Sequence, residues 1–227
     1  MLCPDLRGRG ESDYDPDVER YHPQAYLEDI WDLLAVTNTQ RVVVIGTSLG
    51  GLLAMMMAAS RPQAVAGVVL NDVGPEIAPE GLERISAYIG RLADVRTWPE
   101  AIAQSKAVYE LALPDLTEAE WERFAKCQYA EDTNGVVQRQ YDPKLGDALR
   151  RHGGVVVDVW GLFGALKVVP TLAVRGAISD ILSPSVFAKM AQMKIDLVRV
   201  VVPNRGHVPL LSAPECRAGL DRFFAIV

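Results

Sequence analysis

The sequence predicts an α/β fold with a mostly parallel sheet flanked by helices, and three observations carry that prediction. Four short runs are Val-rich and almost continuously apolar: residues 41–46 (RVVVIG), 65–71 (VAGVVLN), 170–175 (PTLAVR) and 196–202 (DLVRVVV). Strands buried on both faces of a parallel sheet have that character. Helical patterns lie between these runs, and strand–helix alternation implies parallel pairing. Residues 75 to about 160 break the rhythm and read as a mostly helical insertion.

Taken in order, residues 23–36 place Tyr26, Leu27, Ile30, Leu33 and Leu34 on one helical face. Residues 49–60 follow Ser48 directly and stop before Pro62, as a helix must. Ser212 with Glu215 three residues later predicts a capping box opening a helix to about residue 225. Inside the insertion Leu82, Ile85, Ile89 and Leu92 recur at helical spacings. Thr97 with Glu100, and Thr117 with Glu120, are two more capping boxes, and Pro99 and Pro114 punctuate the pieces. The expected division is a core of residues 1–74 and 161–227 with a helical cap over 75–160. The alternative is extra core helices on one sheet face. Aromatic residues concentrate in this stretch, and Trp98, Trp121 and Tyr129 are candidates to line a substrate site.

With 227 residues, 49% of them hydrophobic, the chain suffices for one sizeable core. The net charge of −6, without a basic cluster, argues against a nucleic-acid or anionic-membrane partner and leaves a small molecule as the expected one. Three cysteines, Cys3, Cys127 and Cys216, are odd in number and far apart, so neither a disulfide framework nor a zinc spacing follows. Reduced thiols fit a cytoplasmic location. The first residues lack the basic and apolar regions of a signal peptide, and no apolar run approaches the roughly 18 residues of a membrane span. Composition says nothing about oligomeric state.

The chemistry starts at residue 42, in VVVIGTSLGG. Gly46-Thr47-Ser48-Leu49-Gly50 fits G-x-S-x-G, and it joins a buried strand to a helix, the setting of a nucleophile elbow. A sharp turn there lifts the serine hydroxyl at the carboxyl end of the sheet, where ligands bind in α/β folds. Small flanking residues let strand and helix approach. The helix start favours negative charge, and the Leu49 N–H is the candidate oxyanion donor.

A serine hydroxyl needs a base to act as a nucleophile at neutral pH. Of the three histidines, His22 precedes Pro23 in an early polar stretch and His152 lies beside Gly153-Gly154. His207, in VVPNRGHVPL, follows the last strand on a glycine-bearing loop, the right place for the base. The base needs a carboxylate to fix its tautomer. Asp180, in RGAISDIL after the 170–175 strand, is the expected one. Asp72, in NDVGP after the 65–71 strand, is the alternative acid.

These motifs, with DLRGRGES at residues 5–12, stand in an order that resembles the α/β-hydrolase superfamily in its soluble, helical-cap branch. The resemblance implies an α/β-hydrolase fold, with Ser48 as nucleophile, His207 as base and no cofactor. It implies hydrolysis of a small hydrophobic ester, lactone or related acyl substrate through an acyl-enzyme. A ligand receptor that keeps the triad with little turnover is the rival reading. In the family the DxRGxGxS loop follows three strands, whereas here it begins at residue 5. The expectation is therefore a chain lacking the family's N-terminal strands and the His-Gly loop that supplies a second oxyanion donor. Such a truncated form would be weakly active or inactive.

Overall fold

In a computed structural model of the chain, which describes residues 1–152 and 159–227, the predicted alternation takes physical form. The core elements are α1 (Pro23–Val36), β1 (Val42–Thr47), α2 (Leu49–Ser60) and β2 (Val65–Asn71). Then come α3 (Pro79–Tyr88), α4 (Trp98–Tyr109), α5 (Glu118–Lys126), the short strands β3 (Tyr129–Glu131) and β4 (Val137–Arg139), and α6 (Leu145–His152). The chain returns through α7 (Val159–Gly164), β5 (Thr171–Gly176), α8 (Pro184–Met193), β6 (Val198–Val202) and α9 (Pro214–Phe224).

The main sheet runs β1-β2-β5-β6, every pair parallel. Side chains alternate across it, as the pleat requires. Val68, Leu70 and Ala173 enter the larger core with α1 and α2, whereas Val69, Leu172 and Val174 enter a second core closed by Phe223 of α9. Cover on both faces explains the continuous apolar runs of β2 and β5, nearly all of whose residues are buried. β1 and β6 depart from that expectation: Ile45 and Val201 are each 48% exposed. They are the two ends of the described sheet, where a strand has one neighbour. Residues 1–4 form no strand.

Helix ends follow the predicted chemistry, with one exception. Thr97 and Thr117 make reciprocal capping boxes with Glu100 and Glu120. The box predicted at Ser212 does not form. The helix begins two residues later at Pro214, with Ala213 as an N-cap that makes no side-chain bond. Proline at the first helical position supplies the start there, because its fixed φ suits the helix and its missing N–H loses no bond.

The insertion has its own small core of Val95, Ala101, Ala125, Tyr129 and Val137. It is not purely helical, since β3 and β4 pair antiparallel. Hydrogen bonds and ion pairs tie it to the loops above the sheet. Asp115 accepts from Asn204 at 2.9 Å and pairs with Arg205, and the Gly206 N–H donates to Ala112 O at 2.7 Å. Arg84 of α3 donates through Nε and Nη2 to Asp180 at 2.5 and 3.0 Å.

Candidate active site

All four strands of the main sheet are parallel, so the loops after them open at one edge of it. Ser48 follows β1, Asp72 follows β2, Ser179 lies just beyond β5 and His207 lies beyond β6. The fold alone thus gathers residues that are far apart in sequence.

Ser48 sits at φ 51° and ψ −115°, a strained setting for a residue with a Cβ. The turn is held by the Ser48 N–H donating to Asn71 O at 3.1 Å and by Ser48 O accepting from Gly51 and Leu52. The flanking glycines are not equivalent. A Cβ on Gly46 would lie 2.2 Å from Gly50 O, and one on Gly51 would lie 2.3 Å from Val73 Cγ1. A Cβ on Gly50 would meet nothing within 4 Å. Close approach of strand and helix therefore depends on Gly46 and Gly51.

His207 Nε2 lies 3.1 Å from Ser48 Oγ, and its Nδ1 lies 2.9 Å from Asp72 Oδ2. Asp72 is fully buried and His207 is 7% exposed. A buried carboxylate needs donors. Asp72 Oδ1 accepts from the Gly176 N–H at 2.8 Å, and Oδ2 accepts from Ser179 Oγ at 2.6 Å as well as facing His207. Asp72 itself has φ 53°, which turns its side chain off the end of β2. Arg175, also buried, donates to Leu182 O and Ala177 O and so pins the loop that carries Ser179. Burial lowers the Arg175 pKa from its ordinary value, with the charge of Asp72 opposing.

Asp72, not Asp180, is thus the carboxylate against His207, which corrects the expectation from sequence. Asp180 follows the same strand end as Ser179 but turns its carboxylate to Arg84. Burial works against the charged form of Asp180, yet the Arg84 hydrogen bond and charge outweigh it and hold the carboxyl below its usual range.

The structure places all three aromatic candidates within the insertion. Trp121 and Tyr129 are buried within the insertion, Trp121 edge-on to Phe124 and Tyr129 donating to Gln104 at 2.7 Å. Trp98 donates to Glu131 at 3.0 Å and lies under Lys126. Among the described residues, no hydrogen bond or ring contact joins these three to Ser48, Asp72 or His207. Tyr129 belongs to the insertion's own core, and Trp98 packs against it. The residues that sequence reasoning missed are Ser179, Arg175 and Arg84 with its neighbours Tyr88 and Tyr109. Tyr109 stands edge-on to Tyr88 and to Phe124, and burial pushes its phenol pKa upward. Nothing in the local sequence marked Ser179 or Arg84, since their carboxylate partners lie 107 and 96 residues away.

Among the described residues no cluster of ligating side chains could hold a metal ion, and no helix is long and apolar enough to cross a membrane.

A parallel sheet with a strained serine between strand and helix, facing a histidine and a buried carboxylate, defines an α/β hydrolase. The sequence profile of the alpha/beta hydrolase family matches residues 1–216, and the chain belongs to that family. It is 32% identical over 232 residues to a 3-hydroxybutyrate-oligomer hydrolase of Cupriavidus necator, covering 99% of this chain and 78% of the relative. It is 26% identical over 214 residues to a 2-(acetamidomethylene)succinate hydrolase of Mesorhizobium japonicum, covering 94% and 74%. The crystal structure of an alpha/beta hydrolase from Novosphingobium aromaticivorans superposes with a TM-score of 0.93 at 42% identity, over 100% of this chain and 80% of that one.

Proposed function

We propose that the chain is a serine hydrolase of small, largely aliphatic esters, acting through Ser48, His207 and Asp72. The observation that carries this reading is the continuous contact from Ser48 Oγ through the His207 ring to Asp72, at 3.1 and 2.9 Å. In the first half-reaction Ser48 Oγ attacks the acyl carbon while His207 Nε2 takes its proton. Asp72 holds the Nδ1–H tautomer and stabilises the imidazolium. The Leu49 N–H, at the first turn of α2 where amides lack intrahelical acceptors, donates to the oxyanion. His207 then returns the proton to the leaving alkoxide. Water, deprotonated by the same nitrogen, releases the acid from the acyl-serine.

The substrate class rests on chemistry rather than on a bound ligand. The hydroxybutyrate-oligomer hydrolase acts, by its name, on a short aliphatic oligomer, and an ester of that size suits a serine nucleophile. The test is labelling by a fluorophosphonate probe together with hydrolysis of p-nitrophenyl butyrate and a 3-hydroxybutyrate dimer. We expect labelling that vanishes in Ser48→Ala, and turnover above about 1 s⁻¹ on the best ester. Labelling with turnover far below that value favours a ligand receptor. A folded chain that does not label sinks the hydrolase reading.

A further inference from the structure

Ser48 and His207 lie on separate loops, yet their reacting atoms stand 3.1 Å apart. Something must register one loop against the other. We propose that Asn71, the last residue of β2, is a positioning residue that sets this distance, a role that rests on the hydrolase reading above.

The Asn71 side chain is 2% exposed and spans both loops. Its Nδ2 donates to Thr47 Oγ1 at 3.0 Å, on the residue immediately before the serine. The same nitrogen donates to Pro209 O at 3.1 Å, two residues beyond the histidine. Its backbone carbonyl accepts the Ser48 N–H at 3.1 Å. Its neighbour in the chain, Asp72, meets the other side of the His207 ring. The amide orientation is fixed by chemistry, because a carbonyl such as that of Pro209 can only accept. Keeping the nitrogen on Pro209 leaves Asn71 Oδ1 buried with no protein partner among the described residues. An orphaned buried acceptor is unfavourable. A fold that retains one here is gaining something from the two donor bonds, and what they join is the elbow and the histidine loop. A leucine would fill the same space without the orphan and without the bridge.

The experiment measures kcat and KM on p-nitrophenyl butyrate, and fluorophosphonate labelling rate, for wild type, Asn71→Leu, Thr47→Val and Thr47→Ser. Melting curves establish that each variant is folded. Misplacement of reacting groups by a fraction of an ångström to an ångström predicts a loss in kcat of about 10- to 100-fold for Asn71→Leu, with KM nearly unchanged. Thr47→Val removes one arm of the bridge and should lose roughly 3- to 10-fold in kcat on the same argument. Thr47→Ser, which keeps the hydroxyl, restores the wild-type value. If Asn71→Leu does not fold, the Thr47 pair decides alone. Folded Asn71→Leu, or Thr47→Val, with wild-type kcat overturns the positioning role and leaves the hydrolase reading standing. A wild-type chain that neither labels nor hydrolyses overturns both.

Discussion

Two aspartates compete for one histidine, and their hydrogen bonds separate them. Asp72 is fully buried and turns toward His207, whereas Asp180 is engaged by Arg84. Replacing Asp72 by Asn should leave the fold in place but lower kcat by about 10³- to 10⁴-fold, since the wrong imidazole tautomer is then favoured. Asp180→Asn should change kcat far less and lower the melting temperature instead, through the lost Arg84 pair. Steady-state kinetics and melting curves on the two variants check this. Equal losses of kcat would return Asp180 to the site.

At the scale of the element, the join between β1 and α2 makes a sharp distinction among three glycines. Gly46→Ala drives a Cβ into the backbone of α2 and should destabilise by about 1–3 kcal/mol, with activity falling as the elbow shifts. Gly50→Ala meets open space in the first turn of a helix, where alanine is up to about 1 kcal/mol better than glycine. It should be neutral or slightly stabilising. Urea unfolding of the two variants measures the contrast, and a destabilised Gly50→Ala would show that the motif's last glycine answers to something other than packing.

On the scale of the whole molecule, the insertion is fastened to the loops above the sheet by carboxylates. Hydrogen bonding from Asn204, then the charge of Arg205, holds Asp115 below its ordinary range, and Asp180 is likewise lowered. A carboxylate whose folded pKa lies below its unfolded value of about 3.9 stabilises the fold above that pH. The contribution is lost as pH falls through the lower folded value. The melting temperature should therefore change little from pH 7 to 5 and drop below about pH 4. Asp115→Asn combined with Asp180→Asn should blunt the drop. An equally steep drop in the double variant would place the acid sensitivity elsewhere.

What the sequence by itself determined is local or periodic. The Val-rich runs gave the four strands within two residues, the spacing of apolar positions gave α1, the stretch from Ser48 to the stop before Pro62 gave α2, and Thr97 and Thr117 announced their helices through caps. Ser48 and His207 were legible because G-x-S-x-G needs a strand before it and a helix after it, and a base must follow a strand end. Only the tertiary structure decided which carboxylate completes the set. Asp72 and Asp180 both follow strands, and local sequence gives them the same credentials. The choice depends on Arg84 in α3, Ser179 beyond β5 and the backbone of Gly176, partners up to 107 residues from the aspartate they hold. Asn71 was invisible for the same reason, because its two hydrogen bonds reach across 24 and 138 residues. Hydrophobic periodicity encodes which face of an element is buried, but hydrogen-bond partners are fixed only when the packed sheet brings the loops together.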